Sequence, residues 1–295
     1  MKRKCIVCCK EIFSSVFGGK TINNYSLNRC TNCGMVLALP ESKAGSFNYS
    51  NYGEYLILNK NDIQRRVKST KKRKNNILKL IKQNFKTPKI LDFGCGAGYF
   101  CKAAEENGFE VFGIEPSDKL RAFSKDKLGF QNILKSIGNI NQKFDAICMF
   151  DVIEHLPLEE SRNIMAQLVN HLNPNGMLIG NTPNFKSANI LLCKDKDPVI
   201  WPPSHICYFT KQTLHKYLTS LELNKIKLYS RGFSSNSFFR KTKFEKSFLE
   251  KSVREQNIIL MPISIVLRAI FQILGYLQQP LDLGYEIYFT YQKVN

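Results

Sequence analysis

The apolar positions of this chain change their period along its length, and each change marks an element. Short apolar runs closed by polar or glycine residues recur at 89–94, 110–115, 132–136, 144–150 and 177–181, the lengths expected of buried strands. Between and after them, at 98–108, 117–128, 158–172 and 211–221, apolar residues fall three and four apart and predict helices. Alternating strands and helices call for a parallel sheet with helices on both faces. A basic stretch at 62–85 precedes the first strand. Its apolar stripe of Ile77, Leu78, Leu80 and Ile81 predicts a further helix, closed by Pro88.

The first strand leads into the sharpest local signal. Ile90-Leu91-Asp92-Phe93-Gly94-Cys95-Gly96-Ala97-Gly98 sets three glycines at alternate positions directly before a helix. Glycine tolerates positive φ and has no Cβ to hold a ligand away from the backbone. The following helix adds N–H groups that have no partner within it. The second strand ends in Glu115, about twenty residues further on, where a carboxylate can accept hydrogen bonds from both hydroxyls of a ribose. Together they predict a nucleotide-binding turn.

Four segments keep their order and spacing: LDFGCGAGYF from Leu91, GIEPS from Gly113, FDAICMFDVIEHL from Phe144 and LNPNGMLIGNTPN from Leu172. Over about 89–209 they resemble the class I S-adenosylmethionine-dependent methyltransferases. The likeness is greatest to the branch holding ubiquinone-biosynthesis O-methyltransferases and bacterial small-molecule and glycan methyltransferases. A dinucleotide turn reads GxGxxG, whereas this one reads GCGAG. The resemblance implies an α/β, Rossmann-like, doubly wound and mostly parallel seven-stranded sheet. Segments 225–229 and 285–291 would close it, the last strand antiparallel. It also implies S-adenosylmethionine as cofactor, with Asp92, Gly94, Cys95, Gly96 and Gly98 at its amino-acid end and Glu115 on its ribose. Pro116 and Ser117 would lie near the adenine, and Asp151 would line the pocket. The loop that usually brings a carboxylate to the adenine reads only Ser136 to Asn139 here.

Methyl transfer to a hydroxyl also needs a way to remove a proton. His155, after the fourth strand, and His205, after a Trp201-Pro202-Pro203 turn in the segment that the resemblance implies is a substrate lid, are the candidate bases. Each has a plain alternative, loop orientation for His155 and loop packing for His205. The family likeness further offers a divalent ion at Glu154 and His155. His171 and His215 fall on helices and read as surface residues.

Cysteine adds a separate module. Cys5-x-x-Cys8 and Cys30-x-x-Cys33-Gly34 stand 21 residues apart, and each pair suits a knuckle that directs two sulfurs at one ion. Four thiolates suit tetrahedral, structural zinc. Cys9 competes with Cys8 for the first knuckle, although the CxxC spacing favours Cys8. The implied division is a zinc ribbon at 1–45, a tyrosine-rich and basic linker at 46–88, and a methyltransferase domain at 89–295. The resemblance to families with such a ribbon before a methyltransferase domain implies that Tyr49, Tyr52 and Tyr55, in the linker, are candidate substrate contacts, with packing between module and domain as the alternative.

Ten cysteines without an apolar leader argue for reduced thiols and a cytoplasmic location. The net charge of +19 points to anionic company. Seven of the ten residues from Arg65 to Lys74 are basic, either a solvated helix face or a polyanion contact. The apolar run 258–277 contains Arg268, which would cost ~3 kcal/mol at a bilayer centre. A buried helix is therefore expected rather than a span, with peripheral membrane contact as the alternative. The leading function is O-methylation of a small-molecule or glycan acceptor. RNA or other nucleic-acid methylation is second, although Asn181-Thr182-Pro183-Asn184 stands where adenine-amino methylating enzymes carry Asn/Asp-Pro-Pro-aromatic. A non-catalytic cofactor-binding scaffold is third.

Overall fold

The computed structural model describes residues 4–41, 60–233 and 281–294. Its main sheet grows from β5 (Lys89–Phe93), which pairs in parallel with β6 (Glu110–Ile114) on one side and β8 (Phe144–Phe150) on the other. Beyond β6 lies β7 (Ile133–Leu134), and beyond β8 lies β9 (Leu172–Pro183), both parallel to their neighbours. With β12 (Glu286–Lys293) and β11 (Leu223–Arg231), the seven-stranded order is β11-β12-β9-β8-β5-β6-β7. From β5 the chain winds outward through β6 and β7, then returns to build β8 and β9 on the other side. Strand order therefore reverses between β5 and β8, and the carboxyl ends of those strands border the crevice where doubly wound sheets take ligands.

The strand expected at 177–181 begins earlier, because Leu172 already pairs with Phe144 and a register irregularity between Phe144 and Ala146 takes up the Asn-Pro-Asn-Gly stretch. Asn173 Nδ2 donates to Asp145 Oδ1 at 2.8 Å across it. The helix expected at 117–128 is divided. Ser117 caps α3 (Asp118–Phe123), and a π-helical turn, Ser124–Leu128, follows before Gly129.

By its own contacts the chain groups into two compact units. One takes the described parts of Met1–Gly45, Thr182–Tyr217 and Lys227–Tyr288; the other takes those of Ser46–Asn181, Leu218–Ile226 and Phe289–Asn295. The segments drawn from the sequence follow chain order, whereas these units interleave.

In the second unit, α1 (Lys60–Asn84) buries Ile63, Val67, Thr70, Leu78 and Ile81, and α2 (Tyr99–Glu105) buries Phe100, Cys101, Ala103 and Ala104. They share a core with Ile90, Val111, Phe130, Ala146, Cys148 and Ile179. Each large apolar side chain so enclosed contributes about 1.5–3 kcal/mol relative to exposure.

The first unit holds a small antiparallel sheet in the order β1 (Phe13–Ser15), β3 (Tyr25–Cys30), β4 (Val36–Pro40), β10 (Cys207–Tyr208), with β2 (Thr21–Ile22) also on β3. Asn23 and Asn24, at φ 50° and 63°, make the two-residue turn between β2 and β3. Tyr25, Leu27, Val36 and Ala38 pack with Phe185 and Ile190, the latter on α5 (Ala188–Cys193). The elements expected from the sequence include no strands in this region. At two or three residues, β1, β2 and β10 carry no sustained alternation, but the six-residue β3 does alternate buried and less buried positions and the five-residue β4 is an apolar run.

Among the described residues, no helix is long and apolar enough to cross a membrane. The 258–277 run and Tyr49, Tyr52 and Tyr55 lie outside the described residues.

Candidate functional site

The three alternate glycines at the end of β5 are not equivalent. Gly94 and Gly98 have φ of +75° and +81°, and a Cβ on them would meet Val152 Cγ2 at 2.6 Å and Ser124 Oγ at 2.5 Å. Both are therefore required by packing. Gly96, at φ +57°, has nothing within 4 Å of where a Cβ would stand. Its bare backbone faces open space, as close approach of a ligand requires. The Cys95 side chain points away from that opening, because a Cβ on Gly113 of β6 would meet its sulfur at 2.7 Å.

Glu115, 7% exposed at the end of β6, ties the turn in place. Gly96 N donates to its Oε2 and Ser117 N to its Oε1, each at 2.9 Å. Every carboxylate oxygen has a second lone-pair site, so both keep capacity for a hydroxyl. Burial pushes the Glu115 carboxyl up, while the Ser117 and Gly96 N–H groups and the Arg121 guanidinium pull it back. Arg121 also donates to the Glu115 and Pro116 carbonyls at 2.6 and 2.8 Å. Pro116 is exposed, whereas Ser117 is buried and spends its hydroxyl on the α3 cap.

Asp92 is 3% exposed, and burial pushes its carboxyl up to about 7 against the pull of the Cys101 thiol and the Lys74 ammonium. Cys101 Sγ donates to Asp92 Oδ2 at 3.5 Å, and burial holds that thiol well above its ordinary value, so it stays a donor.

Lys74 is a site residue the sequence reading missed. It continues the inward stripe of α1, in phase with Ile63, Val67 and Thr70, while its basic neighbours Lys72 and Arg73 are exposed. Its ammonium stands 3.4 Å from the Phe150 ring centroid, a cation–π contact, and 3.5 Å from Asn181 Oδ1. A lysine in register with an apolar stripe was the available signal.

Asn181 is 3% exposed and its Nδ2 donates to Asp151 Oδ1 at 2.7 Å. Asp151 takes φ +56°, a left-handed conformation that costs of order 1–3 kcal/mol and that the surroundings must hold. His155 ends the short helical turn Ile153–His155. Its Nε2 lies 4.0 Å from Oε1 of Glu154, which is only 2% exposed.

His205 belongs to the other unit. Its Nδ1 lies 2.7 Å from the Val199 carbonyl, which can only accept, so the proton sits on Nδ1 and Nε2 is the basic nitrogen. His171 and His215, expected at the surface, are half-buried. The His171 Nδ1 donates to the Gln142 carbonyl at 2.9 Å because the C-terminal end of α4 (Ser161–Asn170) packs beside that loop.

Cys5, Cys8, Cys30 and Cys33 bring their sulfurs within 4.8 Å of one another. The Cys5–Cys33 and Cys8–Cys30 separations are both 3.5 Å. A tetrahedron with Zn–S of about 2.3 Å has edges of about 3.8 Å, so the donor set fits zinc. Each knuckle closes on a backbone bond, Cys9 N to Cys5 O and Gly34 N to Cys30 O, both 2.9 Å. Cys9 is exposed and outside the cluster, which leaves Cys8 as the first knuckle's second sulfur.

A family model described as a methyltransferase domain matches residues 63–228. An uncharacterized methyltransferase of Alkaliphilus oremlandii is 35% identical over 109 residues, 36% of this chain and 50% of that protein. A ubiquinone biosynthesis O-methyltransferase of Bradyrhizobium diazoefficiens is 27% identical over 153 residues, 48% of this chain and 57% of that protein. The chain thus spans about half the length of these curated relatives. Among solved structures, an S-adenosylmethionine-dependent methyltransferase from Archaeoglobus fulgidus aligns with TM-score 0.53 and 19% identity, covering 81% of this chain and all of that one.

Proposed function

This chain belongs to the methyltransferase-domain family, and we propose that it transfers a methyl group from S-adenosylmethionine to a small-molecule or sugar acceptor. The observation that carries the reading is the open backbone at Gly96, whose N–H is held by the buried Glu115 carboxylate. S-adenosylmethionine, when bound, supplies an electrophilic methyl on a sulfonium. Asp92 with the turn at Gly94, Gly96 and Gly98 holds its amino-acid end, Glu115 its ribose and Pro116 its adenine side. Cys95 contributes backbone, and Asp151 with Asn181 shapes the wall at the end of β8. An acceptor hydroxyl loses its proton as its oxygen attacks, and His155 and His205 are the two candidate bases.

The relatives named as ubiquinone O-methyltransferases support an oxygen acceptor. The cysteine cluster supports one structural zinc, and free thiols suit a cytoplasmic setting. The basic face of α1, with Arg65, Lys68, Lys71 and Lys72, favours the second reading, a nucleic-acid acceptor.

Calorimetric titration with S-adenosylhomocysteine, alone and with a short RNA or a panel of nucleotide sugars, tests the proposal. Binding of one equivalent, strengthened by a sugar and indifferent to RNA, is the expected result. Strengthening by RNA alone promotes the second reading, and folded protein that binds no product overturns both.

A further inference from the structure

The unit that carries the cysteine cluster also has a cavity of about 760 Å³, open to solvent on one side and within the range of metabolite sites. Its walls come from the turn at Val16 to Gly18, the knuckle at Cys33 and Gly34, α5 with the residues just after it, and the start of α6 (Lys211–Thr219). Phe17 and Phe185 form an aromatic side, with ring centroids 6.1 Å apart and planes tilted by 45°. The exposed Arg29 guanidinium lies 5.7 Å from the Phe185 centroid, so stacking presets its orientation.

Lys186 and Lys194 add two more cations to the lining, and both are exposed. The one carboxylate there, Asp195, is already ion-paired with Lys20, which holds it below its ordinary range. Among the described residues, Arg29, Lys186 and Lys194 have no acidic side chain within ion-pair distance. The Gln212 amide and the Thr213 hydroxyl, which donates to the Thr210 carbonyl at 3.1 Å, complete the polar side. A solvated basic surface does not need an aromatic wall, and an apolar pocket does not need three uncompensated cations. The combination suits a ligand with a planar ring at one end and an anionic group at the other.

We propose that this cavity is a second binding site, for an organic phosphate that carries a planar ring, of the nucleoside-diphosphate kind. The site lies wholly within its own unit and owes nothing to the glycine turn.

The test uses the full chain saturated with S-adenosylhomocysteine, so that the glycine-turn pocket is filled, and titrates it with ADP, adenosine and inorganic pyrophosphate. ADP is expected to bind more tightly than either fragment. Arg29→Gln and Lys194→Gln, on separate elements, are each expected to weaken ADP about tenfold while leaving the circular dichroism unchanged. Three results overturn the site: no ADP binding by the loaded chain at millimolar concentration, ADP affinity unchanged from the parent in both variants, or pyrophosphate binding as tightly as ADP. If the chain takes up no S-adenosylhomocysteine, the two variants still decide, because ADP in the glycine turn would not respond to Arg29.

Discussion

In the unit built on β5 and β8, the candidate ligand-facing groups are Gly96, Glu115, Asp92 and Asn181, and they sit at or just beyond the ends of strands in a parallel sheet. In the unit built on β3 and β4, the corresponding groups sit on short turns around a small antiparallel sheet, gathered at four cysteines. The first arrangement draws its rigidity from Ile90, Leu91, Ala146 and Ile147, all fully buried in central strands. The second has a smaller core and would draw much of its rigidity from a metal, because turns of this length cannot bury enough apolar area to hold themselves. A site on a sheet therefore should tolerate loss of one contact, and a site on knuckles should not tolerate loss of one sulfur.

The largest expected effect follows from that difference. Cys30→Ala should reduce bound zinc from about one equivalent to almost none and remove on the order of 10 kcal/mol of metal-linked stability, read by metal analysis and calorimetric unfolding. S-adenosylhomocysteine titration of the same variant reports on the sheet-borne site. Affinity within about threefold of the parent sharpens the comparison, and loss of binding breaks it.

Within the sheet-borne site, Gly96→Asp should abolish product binding by about a hundredfold or more, since it fills the open approach and adds a charge there. Its stability should fall by about 1 kcal/mol, the strain of a non-glycine residue at φ +57°, because no protein atom meets the new Cβ. Gly94→Ala should cost more stability, about 1–3 kcal/mol from the contact with Val152 added to the strain of φ +75°. If Gly96→Asp binds normally, the glycine turn is not the cofactor site.

A smaller effect should appear with pH. The Asp92 carboxyl stands at about 7 when buried and at 3.8 when exposed, so the folded ligand-free protein favours its neutral form. The stability from this group is present below 3.8 and is lost as pH rises through about 7. A ligand ammonium needs the ionised form, so its affinity should fall by up to about tenfold per unit as pH drops below 7. Asp92→Asn should flatten that limb of the titration.

The smallest effect belongs to Lys74. Its charge lowers the Asp92 value, so Lys74→Met should move the acidic limb to higher pH by a fraction of a unit. An unmoved limb would mean that the ammonium acts only on Phe150 and Asn181.

Most of the parallel sheet was legible because each strand is a compact apolar run closed by a turn signal. The glycine turn and Glu115 were legible because both lie at the ends of such runs. The small antiparallel sheet was not read, although the Asn23-Asn24 pair between Ile22 and Tyr25 is a hairpin signal, with both residues at positive φ. Seven basic residues in ten hide Lys74, whose ammonium alone among them is placed on Phe150 and Asn181 by the fold.

By itself the sequence determined the order of strands and helices of the main sheet, the alternate glycines with their distant carboxylate, and the two cysteine knuckles, since these depend on local spacing. Only the tertiary structure decided which glycine is open and that Phe17, Arg29, Phe185 and Lys194 share a cavity. The cavity depends on contacts between residues far apart in the chain, such as Phe17 and Phe185, and no local period in the chain encodes them.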